Sequence, residues 1–162
     1  MKDQDSRLVV DDHPTPDDRE WCARLMASSE PWITLGRTVE QTRPMFESSS
    51  PGSSLFIARA DGKPLGFLLL RERGIVYSPY IASLAVSPDA RSLGIGSRLI
   101  AFAEDRSRQK SRHIFLCVSS FNARARALYE RHGYTVVGEL KDYVKEGLSE
   151  LLMSKRLSPL AE

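Results

Sequence analysis

The sequence predicts an α/β protein of mixed, α+β character, with one sheet and helices on both of its faces. Three observations carry that prediction. Residues Tyr80 to Val86 form an apolar run that passes, through a turn with two glycines, into a helical repeat beginning at Ile95. Asp61-Gly62 stands between two apolar runs as a two-residue hairpin signal. The elements follow one another as strand, two helices, three strands, helix, strand, helix and two strands, an order that places helices on both sides of a mixed sheet.

In chain order, Arg7 to Val10 reads as a short strand. Thr15-Pro16-Asp17-Asp18 supplies a capping residue, a proline at the first helical position and acids in the first turn, and the helix that follows aligns Trp21, Leu25 and Ser28. Glu30-Pro31 should end it. Thr38-x-x-Gln41 resembles a capping box for a second helix, kept short by Pro44. Ser48 to Ser54 reads as a flexible connection. Leu55–Ala60 and Leu65–Arg71 are hairpin strands, and Tyr80–Val86 is a third strand ended by Pro88. Ile95, Leu99, Phe102 and Ala103 share one helical face, and Arg106 to Lys110 suit a helix C-terminus. Ile114–Val118 reads as a strand buried on both faces, with Cys117 a buried free thiol. A helix from Asn122 aligns Ala125, Leu128 and Tyr129 and stops at Gly133, and Tyr134–Leu140 and Leu148–Ser154 close the sheet.

Composition bounds the function. At 162 residues the chain is expected to be a single domain, 1–162. A net charge of +2 argues against a nucleic-acid partner held by charge. Cys22 and Cys117 show no metal spacing and no disulfide framework, so no metal is expected. The longest apolar run, Pro64–Leu70, is too short for a bilayer, and the polar, acidic N-terminus carries no secretory signal. The expectation is a cytoplasmic protein without a membrane partner.

The glycine turn is where chemistry concentrates. A strand, a two-glycine turn and a helix N-terminus gather unpaired amides and a positive dipole end, a place for an anion such as phosphate. A Walker loop is ruled out because no Gly-Lys-Ser/Thr occurs, and a dinucleotide fingerprint fails because Leu99 stands where its third glycine belongs. The bland alternative is a turn that merely joins strand to helix. Val86-x-Pro88-x-x-Arg91-x-x-Gly94-x-Gly96 resembles the acyl-CoA pyrophosphate loop of the GNAT superfamily of N-acetyltransferases, and Asn122-x-x-Ala125-x-x-Leu128-Tyr129-x-x-x-Gly133-Tyr134 resembles a later motif of the same family. The likeness covers Tyr80 to about Leu157 closely and the first half mainly in element order.

The resemblance implies a mostly antiparallel sheet of six to seven strands with a splayed central parallel pair and about four helices. It implies acetyl-CoA as cosubstrate, held by a core over about residues 80–134, with acceptor-side elements at about 16–47 and 141–147. Backbone groups of Leu84, Ala85 and Val86 would take the pantetheine arm, and the amides of Arg91, Ser92, Leu93, Gly94, Ile95, Gly96 and Ser97 the pyrophosphate. Asn122 would both cap its helix and touch pantetheine, while Arg124, Arg126 and Arg131 read as an exposed basic face from which one could reach a ribose phosphate. Transfer would go directly to a primary amine, with the oxyanion at the Leu84 backbone and Tyr129 as general acid to the sulfur.

A lysine-like acceptor, with a pKa of about 10.4, needs a route for its proton. Ile75 to Val86 contains no acid, and Glu72, Tyr80, Ser83, His113, Ser119 and Tyr143 are candidates beside a water relay to backbone carbonyls. His113 and His132 read as structural. Trp32, Ile33, Thr34, Phe46, Tyr143 and Val144 belong to segments that would set the acceptor, a small-molecule amine or a peptide. A homodimer through the last strands is compatible with this reading. The rival from another class is a non-catalytic acyl-CoA-binding sensor.

Overall fold

The computed structural model describes residues 8–47 and 51–158. Arg7 and the Ser48–Ser50 part of the serine-rich connection lie outside those residues. Seven strands form one sheet in the order β1-β2-β3-β4-β5-β7-β6. They are β1 Leu8–Asp11, β2 Ser53–Ala60, β3 Lys63–Ile75, β4 Ser78–Val86, β5 His113–Ser119, β6 Thr135–Lys145 and β7 Leu148–Arg156. All neighbours pair antiparallel except β4 and β5. The helices are α1 Pro16–Ala27, α2 Val39–Thr42 with a 3₁₀ turn Arg43–Phe46, α3 Ile95–Arg108 and α4 Ala123–Arg131.

Local signals act as read. Thr15 and Asp18 form a reciprocal capping box ahead of α1, and Thr38 with Gln41 forms a second ahead of α2. Asp61 and Gly62 take positive φ at the β2–β3 turn, as a primed hairpin requires. Two apolar clusters sandwich the sheet. One joins α3 and α4 to the sheet through Leu99, Ile100, Ala103 and Tyr129. The other places Cys22, Leu25, Met26 and Phe46 against Ile57, Phe67 and Ala85.

Four expectations need correction. The α1 face that is buried carries Cys22, Ala23, Leu25 and Met26, while Trp21 only flanks the cluster, because the i, i+3, i+4 stripe starts one residue later. In α3, Ile100 is fully buried, and Phe102 sits at the rim with its ring 4.8 Å from that of Phe56. Strand β5 alternates, with Ile114, Leu116 and Val118 in the α3–α4 cluster, so Cys117 faces the other side and is half-buried. Residues Lys141–Lys145 belong to strand β6, not to a loop.

Candidate active site

Strands β4 and β5 pair only at Tyr80↔Phe115 and Ile81↔Leu116, and then diverge. A β-bulge causes part of this. Leu69 of β3 pairs with Ser83 but Leu70 pairs with Ile81, so Ala82 is the extra residue. The slip exchanges faces: Ile81 lies in the α3–α4 cluster, whereas beyond the bulge Leu84 and Val86 join that cluster and Ala85 the opposite one. The edge of β4 from Ala82 to Val86 thus faces an open cleft.

The cleft has a volume of about 880 Å³. One end is made by the glycine turn and α3. Gly94 is the N-cap of α3 at φ +79° with no side-chain cap, and the first intrahelical bond runs from the Arg98 amide to the Gly94 carbonyl. The amides of Ile95, Gly96 and Ser97 consequently have no intrahelical acceptor. Open space surrounds the position of a Cβ at Gly94, while one at Gly96 would lie 3.3 Å from Leu128 Cδ2. The two glycines therefore serve different ends, the first a left-handed turn and the second the approach of α3 to α4. Arg91 is exposed and donates through Nε to the Val86 carbonyl at 3.3 Å, and Arg124 and Arg131 also border this end. Arg126 points elsewhere, paired with Glu130 at 2.8 Å.

Other named residues reach the same cleft. The Asn122 carboxamide accepts from the Ala125 amide at 3.3 Å, which makes it the α4 cap, and it also lines the cleft. Tyr129 is buried, its hydroxyl has no hydrogen-bond partner among the described residues, and burial pushes its phenol up to about 12. Ser97 Oγ lies 3.0 Å from His132 Nε2, tying α3 to the end of α4; burial holds His132 below its ordinary value, so the ring is neutral at neutral pH. Leu93 projects into solvent and does not line the cleft. The other candidate bases separate: Glu72 pairs with Lys110 at 3.1 Å, and Tyr143 and His113 are exposed, none of them at the cleft.

The opposite end is formed by α1, the 28–37 loop and the sheet face that carries Tyr80, Cys117, Ser119 and Glu150. Trp32, Met26 and Met45 line it, and Glu30 is held by the amide and hydroxyl of Thr34. Burial raises both the Tyr80 hydroxyl and the Cys117 thiol. Glu150 escaped the sequence reading. A period-two count along Leu148–Met153 finds it, since Leu151 and Met153 enter the α3–α4 cluster and leave Glu150 on the cleft face.

This geometry defines an α/β fold with a parted parallel strand pair over an uncapped helix N-terminus. The sequence profile of the acetyltransferase (GNAT) family matches residues 12–134, and the chain belongs to that family. It is 33% identical over 85 residues to the 5-NmdU N-acetyltransferase of Pseudomonas phage PaMx11, covering 52% of this chain and 59% of that protein. It is 36% identical over 78 residues to the blasticidin-S acetyltransferase of Streptomyces morookaense, covering 48% of this chain and 57% of that one. The chain thus spans less than two thirds of the length of these relatives. Its fold matches that of an aminoglycoside 6′-N-acetyltransferase complexed with coenzyme A, with a TM-score of 0.75, 15% identity, and coverage of 95% of this chain and 99% of that one. No helix among the described residues is long and apolar enough to cross a membrane.

Proposed function

We propose that the chain is an acetyl-CoA-dependent N-acetyltransferase that passes acetyl directly to a primary amine of a small molecule or peptide. The observation that carries this reading is the parting of β4 from β5 beside the uncapped amides of α3. An unpaired strand edge suits the amide-bearing pantetheine arm, as an added strand would pair there, and Leu84, Ala85 and Val86 offer that edge. The amides from Arg91 to Ser97 and the α3 dipole suit the pyrophosphate. Asn122 serves as both cap and pantetheine contact. The single domain 1–162 then divides into a cofactor core at about 80–134 and acceptor-side elements at about 16–47 and 141–147.

Bound there, acetyl-CoA supplies an activated acyl carbon. A backbone N–H at Leu84 takes the oxyanion charge that develops on attack. Tyr129 stays protonated at neutral pH and donates to the departing sulfur. The test is thiol release from acetyl-CoA across pooled polyamines, amino acids, aminoglycosides and peptides with free or blocked N-termini, with product masses recorded. Amine-dependent release with an acetyl mass increment supports the reading. Tight acetyl-CoA binding without turnover favours a sensor, and absence of binding refutes it.

A further inference from the structure

We infer that Glu150 is the residue that receives the acceptor's ammonium, takes its proton and so sets the cleft's demand for a cationic amine. The inference rests on the proposed transferase reaction and adds to it the group that takes the amine's proton.

Glu150 stands where the sheet brings three strands to the mouth of the strand gap. It pairs with Ser119 at the C-terminal end of β5, three residues beyond Leu116, the last β5 residue that pairs with β4. The Ser119 hydroxyl, itself almost wholly buried, donates to Glu150 Oε1 and fixes the carboxylate. The second oxygen, Oε2, has no hydrogen-bond partner among the described residues, and the residue lines the cleft together with Tyr80, Cys117 and Ser119. The titratable groups on its sheet face are Tyr80 from β4 and Cys117 from β5, and burial keeps both of these neutral at ordinary pH; from the 28–37 loop, Glu30, held by Thr34, and the exposed Arg37 line the same cleft without pairing with Glu150. No cation pairs with Glu150 among the described residues, in contrast to Glu20, Glu72, Glu104 and Glu130. An acid half-removed from water, held by one hydroxyl and left without a counter-ion, attracts a cation from solution. Burial also raises its carboxyl above the ordinary range, which brings it nearer to a base suited to neutral pH.

The proton balance closes. The ammonium N–H breaks and an O–H forms on Glu150 Oε2. The freed nitrogen pair forms the C–N bond to the acyl carbon, and the C–S bond breaks with its electrons on sulfur. The second nitrogen proton reaches the thiolate by way of Tyr129, and the proton on Glu150 leaves to water. The net products are amide, free thiol and one proton.

Wild type, Glu150→Gln and Glu150→Asp are compared for thiol release with n-butylamine, an ammonium at neutral pH, and methoxyamine, which is neutral there, over roughly pH 6 to 10. Glutamine keeps the Ser119 bond, so folding is preserved. The expected result is a loss of about 10²–10³-fold in kcat/KM for butylamine near neutral pH in the glutamine variant, shrinking as pH approaches the amine's own pKa. Methoxyamine rates should stay within about threefold, acetyl-CoA affinity should not change, and aspartate should restore part of the loss. An equal loss for both acceptors at every pH, or no loss, overturns the inference. A second readout needs no turnover: protein carrying ¹³Cδ-glutamate and saturated with CoA is titrated with butylammonium. Movement of the Glu150 resonance, assigned by its absence from Glu150→Gln, supports the inference, and an unmoved resonance overturns it. Failure of acetyl-CoA to bind wild type refutes the transferase reading separately.

Discussion

Replacing Gly94 by alanine and replacing Gly96 by alanine should move the protein in opposite directions, although both glycines belong to one motif. Gly94 sits at φ +79° with no atom within 4 Å of an added Cβ, so the whole cost is backbone strain. Holding an L-residue in the left-handed region costs about 1–2 kcal/mol, and the stiffer unfolded chain returns about 0.4–1 kcal/mol. A net loss of about 0.5–1 kcal/mol corresponds to a Tm lower by about 1–4 °C in a chain of this size. If the turn relaxes instead, the amides of Ile95 to Ser97 rotate, and acetyl-CoA affinity falls about tenfold for each 1.4 kcal/mol forfeited. Gly96 lies within α3, where alanine is favoured by up to about 1 kcal/mol over glycine. Its Cβ would meet Leu128 Cδ2 at 3.3 Å, a flexible side-chain end that yields by a few tenths of an ångström. Gly96→Ala should therefore keep or raise Tm and hold acetyl-CoA affinity within about twofold. Thermal melts and calorimetric titration decide it. A Gly96→Ala protein that binds acetyl-CoA poorly beside an unaffected Gly94→Ala would refute the division of labour.

Tyr129→Phe should reduce kcat by about 10²-fold while leaving Tm within about 1 °C, because the hydroxyl has no protein partner to lose; unchanged turnover removes its acid role. Gly66→Ala should destabilise by about 1–3 kcal/mol, seen in a urea midpoint, since the added Cβ would lie 2.9 Å from the Ala85 carbonyl, which cannot rotate away. Asp18 is pushed up by burial but pulled further down by hydrogen bonds from Arg59 and Thr15, so its carboxyl lies below the ordinary range. A depressed carboxyl contributes stability above its unfolded pKa of about 3.9 and loses it as pH falls through the folded value. Arg59→Met should thus be less stable than wild type at neutral pH, with the gap in urea melts narrowing as pH falls below the unfolded value; a gap independent of pH would exclude an ionic origin.

What was legible was what is local. Thr15 with Asp18, Thr38 with Gln41, and Asp61 with Gly62 act through bonds and dihedrals within four residues, and all three behave as read. The glycine turn was legible for the same reason. The bulge at Ala82 was not, because Tyr80–Val86 is apolar or small throughout and no alternation marks the slip. Glu150 was hidden by a different cause: its chemistry comes from Ser119, thirty-one residues away, and from the gap that β4 leaves. Gly66 likewise gains meaning only when α3 and β4 close over it.

The bulge and the charge distribution belong together. By turning Leu84 and Val86 toward Leu128, the slip at Ala82 seats the glycine turn against α4 and frees the β4 edge on its other flank. Basic groups then gather at one end of the cleft, where Arg91, Arg124 and Arg131 stand near the uncapped α3 amides and His132, neutral, adds no charge. At the far end, where the 28–37 loop meets β5 and β7, the charged cleft residues are Glu30, Glu150 and the exposed Arg37 among aromatic and thioether side chains. An anion is therefore favoured at the α3 end, and the two acids offer a cation its place at the other. The proposed direct transfer needs both reactants bound at once, and separate places for anion and cation in one cleft would meet that need without a moving part.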